Sequence, residues 1–155
     1  MHNLIFAATV LGIIAGLRAF TAPAAVSWAA RLGYLPLLGT RLAFLASPIT
    51  VGILTALALF ELINDQNPKT PSRKVPMQFI PRVLFGAFCG SAVGLHFGSL
   101  WTGLLCGAIG AVIGTLGGAA ARGALARAFG KDLPAGLLED LVAVGSAAMI
   151  VTHHL

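Results

Sequence analysis

Four carboxylates and three arginines carry most of the chemistry this chain could perform. Glu61 and Asp65 stand four residues apart in "FELINDQNPKTPSRKVP", so they share a face if the helix bearing them runs one more turn. Glu139 and Asp140 are adjacent in "LPAGLLEDLVAVG", well inside an apolar segment. Acids at such depth normally face a bundle interior and pair with bases. Arg18, Arg73 and Arg127 are the bases the sequence places near them. Ser72 and Arg73, with Lys69, Thr70 and Lys74, also form a hydroxyl- and cation-rich stretch suited to a phosphate group. Arg18, Glu61, Asp65, Ser72, Arg73, Arg127, Glu139 and Asp140 therefore make one candidate ligand-binding cluster. A purely structural salt-bridge network would gather the same residues.

The elements positioning them are apolar to a degree that sets the class. Of 155 residues, 57% are hydrophobic and only 10% charged, and the mean hydropathy is +0.91. Soluble domains carry about 25% charged residues. Several apolar runs approach the ~20 residues that cross a bilayer core. The ten-residue alternation of a membrane barrel is missing. The expected architecture is all-α: one polytopic transmembrane helix bundle over 1–155, with a Pro-rich basic cytoplasmic loop at 64–78.

Spans are expected at Leu42–Ile63, Pro81–Phe97, Leu100–Ala121 and Pro134–Thr152. The amino-terminal run "MHNLIFAATVLGIIAG" has no Lys or Arg before it and reads as a retained span, not a cleaved signal. Residues 21–39 form either a short second segment or the far half of one broken helix. "RAFTAPA" and "RAFGKDLPA" favour the former. Each ends an apolar run, then offers a capping residue (Thr21, Asp132) and a proline in the next helix's first turn. Six segments put Arg18, Lys69, Arg73, Lys74, Arg82, Arg122, Arg127 and Lys131 on one side, with only Arg31 and Arg41 opposite. The basic side is expected in the cytoplasm and both termini outside. Five segments would strand Arg18 in hydrocarbon at about 2.5–3.5 kcal/mol.

Glycine sets the packing. Gly103, Gly107 and Ala111 recur every four residues, as do Gly110, Gly114 and Gly118; Gly86, Gly90 and Gly94 repeat the spacing one helix earlier. Such stripes let helix backbones approach closely in lipid, or border a narrow pore. Cys89 and Cys106 lie inside apolar segments and read as packing residues, not a disulfide. His2, His96, His153 and His154 fall toward the far face as solvated ends. No metal or cofactor site is implied, and no nucleic-acid partner: the net charge of +5 belongs to loops facing anionic lipid headgroups. A homo-oligomer is compatible with the small-residue stripes.

"GLRAFTAPAAVSWAARLG", "FELINDQNPKTPSRKVPMQF", "GAVIGTLGG" and "RAFGKDLPAGLLEDLVAVG" together resemble a bacterial family of small integral membrane proteins, the domain-of-unknown-function group numbered forty-one twenty-six. The resemblance covers almost the whole chain and implies residence in the inner membrane, with no activity to carry over. Three functions compete. A small transporter or channel would handle an ion or a small or lipid anion through the charged cluster. A non-catalytic scaffold would use the glycine stripes. A lipid-phosphate phosphatase-like enzyme would use Glu61 or Asp65 beside Ser72-Arg73, loosely similar to polyprenyl-pyrophosphate phosphatases, although no histidine stands beside them to complete a catalytic set. The transporter-like reading accounts best for buried acids beside arginines.

Overall fold

A computed structural model describes residues 1–65, 74–153 and 155. Six α-helices follow in order: α1 His2–Leu17, α2 Thr21–Leu32, α3 Pro48–Asn64, α4 Pro76–His96, α5 Leu100–Phe129 and α6 Asp132–His153, with a 3-10 turn at Ala43–Ala46 between α2 and α3. The all-helical bundle matches the expected fold class. By length and composition α4, α5 and α6 can each cross a membrane, while α1 and α3 are apolar but shorter.

Several boundaries differ from the sequence reading. The span expected at Leu42–Ile63 is interrupted: the 3-10 turn ends at Ser47, whose extended backbone precedes Pro48 at the start of α3. Proline is favoured there because its missing N–H is not needed in a first turn. Pro76 likewise opens α4, which continues through Pro81. Helix α5 runs on to Phe129 before Gly130 ends it in a left-handed conformation, so it is about 45 Å long against an apolar core of about 30 Å. The short second segment is α2, which stops at Leu32. Beyond it the chain turns back, and Leu35, Leu37 and Leu45 insert into the core beside Leu4, Leu11, Val93 and Ile150.

Helices α1, α4 and α5 form the tightest part of the bundle, and glycine is the reason. The two stripes on α5 serve two different neighbours. A Cβ added at Gly103 or Gly107 would fall within 3.0 Å of the α4 backbone at Gly90 and Gly86, and one at Gly110 or Gly114 would meet α1 at Thr9 and Ile13. At these four glycines the space is filled by neighbouring backbone. Both cysteines are free.

Helix α3 is held differently. It packs on α2 and the 3-10 turn, and among the described residues it makes no comparable packing with α4, α5 or α6. Only Val51 and Ala58 along it are buried. Among the described residues, Glu61 and Asp65 at its end tie it to the rest of the bundle.

Candidate functional site

The corner between α1 and α2 is built by charge at both helix ends. Helix α1 stops at Leu17 because Arg18 takes an extended conformation, leaving the last carbonyls without helical partners. Arg82 of α4 supplies them: its Nη1 donates to Gly16 O at 3.0 Å and Leu17 O at 2.7 Å. Thr115 of α5 adds a bond to Gly16 O at 3.3 Å. At the start of α2 the amides of Ala19 and Phe20 donate to the two carboxylate oxygens of Glu61, both at 2.8 Å. A cation thus sits at a helix C-terminus and an anion at a helix N-terminus, each in its favoured place. Glu61 and Arg82 also approach each other to 3.7 Å.

This corrects the capping expected from sequence. Thr21 makes no cap: α2 begins at Thr21 itself, after Phe20. Asp132 is likewise the first residue of α6. The prolines at 23 and 134 occupy the third helical positions. Glu61, 40 residues further along the chain, does the work assigned to the Thr21 hydroxyl, because two N–H groups converge on a carboxylate that can accept from both.

Arg18 lies at the centre, 0% exposed. Its two terminal nitrogens bind Asp65 at the end of α3 and Asp140 on α6, so one side chain joins three elements. Asp65 follows the last residue of α3, but its N–H still bonds Glu61 O at 2.9 Å. The helical path continues, and Glu61 and Asp65 share a face. Asp65 also meets Arg122 of α5 at 3.2 Å. Arg122 in turn binds Asp132 at 2.6 Å and lies 4.0 Å from Glu139. Glu139 is 9% exposed; being one residue from Asp140, it points about 100° away around α6 and reaches Arg122 where its neighbour reaches Arg18.

Of the eight residues read from the sequence, the structure gathers Arg18, Glu61, Asp65, Glu139 and Asp140. Arg127 is a correction: it is exposed in the last turn of α5, and no described acid lies within ion-pair distance of it. Ser72 and Arg73, with most of the 64–78 loop, lie outside the described residues. Arg82, Arg122 and Asp132 belong to the cluster and were missed. The signal was present for the two arginines, since each interrupts an apolar helix rather than a loop, and such residues rarely lack an acid partner.

The cluster gathers the ends of α1 and α3 with Arg82 early in α4 and Glu139 and Asp140 early in α6, so it lies toward the end of the bundle that carries the 64–78 loop. Beside it is a cavity of about 280 Å³ between α3 and α4, lined by Phe20, Phe60, Phe85, Glu61, Asn64, Asp65, Gln78 and Arg82 among others. A second cavity of about 400 Å³ lies on the opposite flank of α3, between α2 and α6, and is largely apolar. No group of three or more His, Cys, Asp or Glu among the described residues is arranged to hold a metal ion.

No curated protein and no solved structure matches the chain. Residues 5–154 match the family described as Domain of unknown function (DUF4126). With that match covering nearly its whole length, this all-helical protein belongs to the DUF4126 family.

Proposed function

We propose that the protein is a small transporter of the bacterial inner membrane, with α3 as its movable element and the ion-pair cluster as a gate at the cytoplasmic end. The observation that carries this reading is the attachment of α3. Among the described residues it packs chiefly on α2 and the 3-10 turn, has a cavity on each flank, and joins α1, α4, α5 and α6 through Glu61, Asp65 and their partners. An element held by a few exchangeable ionic contacts and bordered by space can adopt two arrangements. That is what alternating access requires.

The orientation rests on charge. Eight of the ten Lys and Arg residues fall on the side of the 64–78 loop, which the positive-inside rule assigns to the cytoplasm. Ion pairs that bridge helices at that end would close the path when intact. They would open it when a charged ligand competes for one partner.

Solid-supported membrane recordings test the reading directly. Proteoliposomes would be exposed to concentration jumps of protons, sodium, chloride, phosphate and an organic ammonium salt. At least one should give a transient current above protein-free liposomes, and Asp65→Asn should reduce or abolish it. Silence across the whole panel with folded protein would refute transport.

A further inference from the structure

We infer that the groove between α2 and α6 binds a neutral lipophile, a hydrocarbon body carrying one uncharged hydroxyl or carbonyl. This concerns binding alone and does not depend on transport. What points to it is a buried hydroxyl without a partner at one end of an otherwise apolar groove.

The groove exists because α2 packs on both α3 and α6, while those two helices make no comparable contact with each other. Its walls carry Ala24 and Ala25 of α2, Ala58 of α3, and Ala147 and Ala148 of α6. These short side chains leave about 400 Å³ open, within the roughly 300–1,000 Å³ of small-molecule sites. Among the described residues no charged side chain lines it. A carboxylate or ammonium held there would lose its hydration with no opposite charge in return. A neutral ligand carries no such cost.

The polar lining groups differ in one respect. Trp28 Nε1 donates to Thr55 Oγ1 at 3.1 Å, Thr55 Oγ1 donates to Val51 O at 2.7 Å, and Thr152 Oγ1 donates to Ala148 O at 3.0 Å. Thr21 is 6% exposed, yet its Oγ1 has no hydrogen-bond partner among the described residues. A buried hydroxyl left unsatisfied is costly. Because a hydroxyl both donates and accepts, a ligand hydroxyl or carbonyl would satisfy it. Thr21 is the first residue of α2, so no complete helical turn precedes it to restrict rotation about its Cα–Cβ bond. The hydroxyl can therefore turn toward a ligand in the groove.

The two ends set the ligand's direction. Leu62 and Val144 in the lining stand about one helical turn from Asp65 and Asp140, the acids that Arg18 holds. Thr21 thus marks the end nearer the ion-pair cluster. Trp28 lies about 10 Å further along α2, so the hydrocarbon runs past the alanines toward its indole.

Fluorescence quenching of Trp28 in lipid vesicles tests the assignment. Trp101→Phe leaves Trp28 as the sole tryptophan, and ω-bromoundecanol carries its quenching bromine at the end remote from the hydroxyl. A saturable component at low mole fraction is expected with this alcohol. Bromoundecane and ω-bromoundecanoate should give only the linear quenching of bulk lipid. Thr21→Val should weaken the saturable component about three- to tenfold. It should leave the melting temperature unchanged or higher, since it removes an unpaired buried hydroxyl. Ala148→Phe, at an exposed position of the wall, should fill the groove and abolish saturation in folded protein. No saturable quenching by the alcohol, equal saturation by bromoundecane, tighter binding of the carboxylate, or full affinity in Ala148→Phe would overturn the assignment. So would a Thr21→Val variant that melts lower or keeps full affinity.

Discussion

Replacing Arg18 with leucine should damage the fold more than replacing either acid it holds. Arg18 is wholly buried, and its two terminal nitrogens reach Asp65 on one helix and Asp140 on another. Without it, two largely buried carboxylates lose their shared guanidinium, although Asp65 keeps Arg122 at 3.2 Å. Removing one partner of a buried ion pair costs about 3–5 kcal/mol, mostly the penalty of the charge left behind. Asp140→Leu is a smaller insult. Arg18 keeps Asp65, so the loss approaches that of one charge-assisted hydrogen bond, about 1.5–3 kcal/mol. The double variant Arg18→Leu/Asp140→Leu removes the stranded carboxylate as well and should be less damaged than Arg18→Leu alone. All three values should fall toward the low end of these ranges, because a chain unfolded within the bilayer finds other partners. Steric trapping in bicelles, or a reversible SDS titration, measures the three free energies. Arg18→Leu no worse than Asp140→Leu, or a double variant equal to the sum of the singles, would refute the shared-guanidinium argument.

Three further expectations concern packing, charge and topology. Gly107→Leu should lower the melting temperature strongly, by overpacking of about 1–3 kcal/mol or more, since even a Cβ there would meet Gly86 O within 3.0 Å; Gly117, with nothing within 4 Å, should accept leucine without loss in the same detergent melt. Arg122→Ala, which severs α5 from Asp65 and Asp132, should destabilise measurably, whereas Arg127→Ala should stay within about 0.5 kcal/mol; equal melts would remove Arg122 from the cluster. Reporter fusions at the two termini should both report the periplasm, the outcome expected from the eight-to-two split of Lys and Arg in the six-segment reading; opposite sidedness would show that one of the shorter helices does not cross.

Much of the architecture was legible because its causes are local. Apolar run length marked four spans, and charge placement with the repeated Arg-Ala-Phe triplet favoured two segments before them, whereas the helix ends at Pro48, Pro76 and Phe129 differ from the expected Leu42, Pro81 and Ala121. The four-residue glycine spacing predicted close packing, since backbone approach depends on which residues share a helix face. The same spacing could not tell which neighbour each stripe meets. Only the assembled bundle assigns one stripe of α5 to α4 and the other to α1.

The charged cluster divides in the same way. Its acids were readable, because a carboxylate deep in an apolar helix needs a partner wherever the helix lies. Which arginine answers was not. Arg18 and Arg127 stand in identical Arg-Ala-Phe triplets, yet their fates are opposite. Arg18 follows the end of α1, where extended backbone turns it into the bundle, while Arg127 rides inside a helix that continues to Phe129 and leaves it exposed. Glu61 as the anion at the start of α2, and Arg82 as the cation at the end of α1, depend on contacts 41 to 66 residues apart. Helix formation is decided by hydrogen bonds four residues apart and by side-chain periodicity, which any stretch of sequence displays. Ion pairing in this protein is decided by which helices pack side by side, and that follows from the glycine faces acting together.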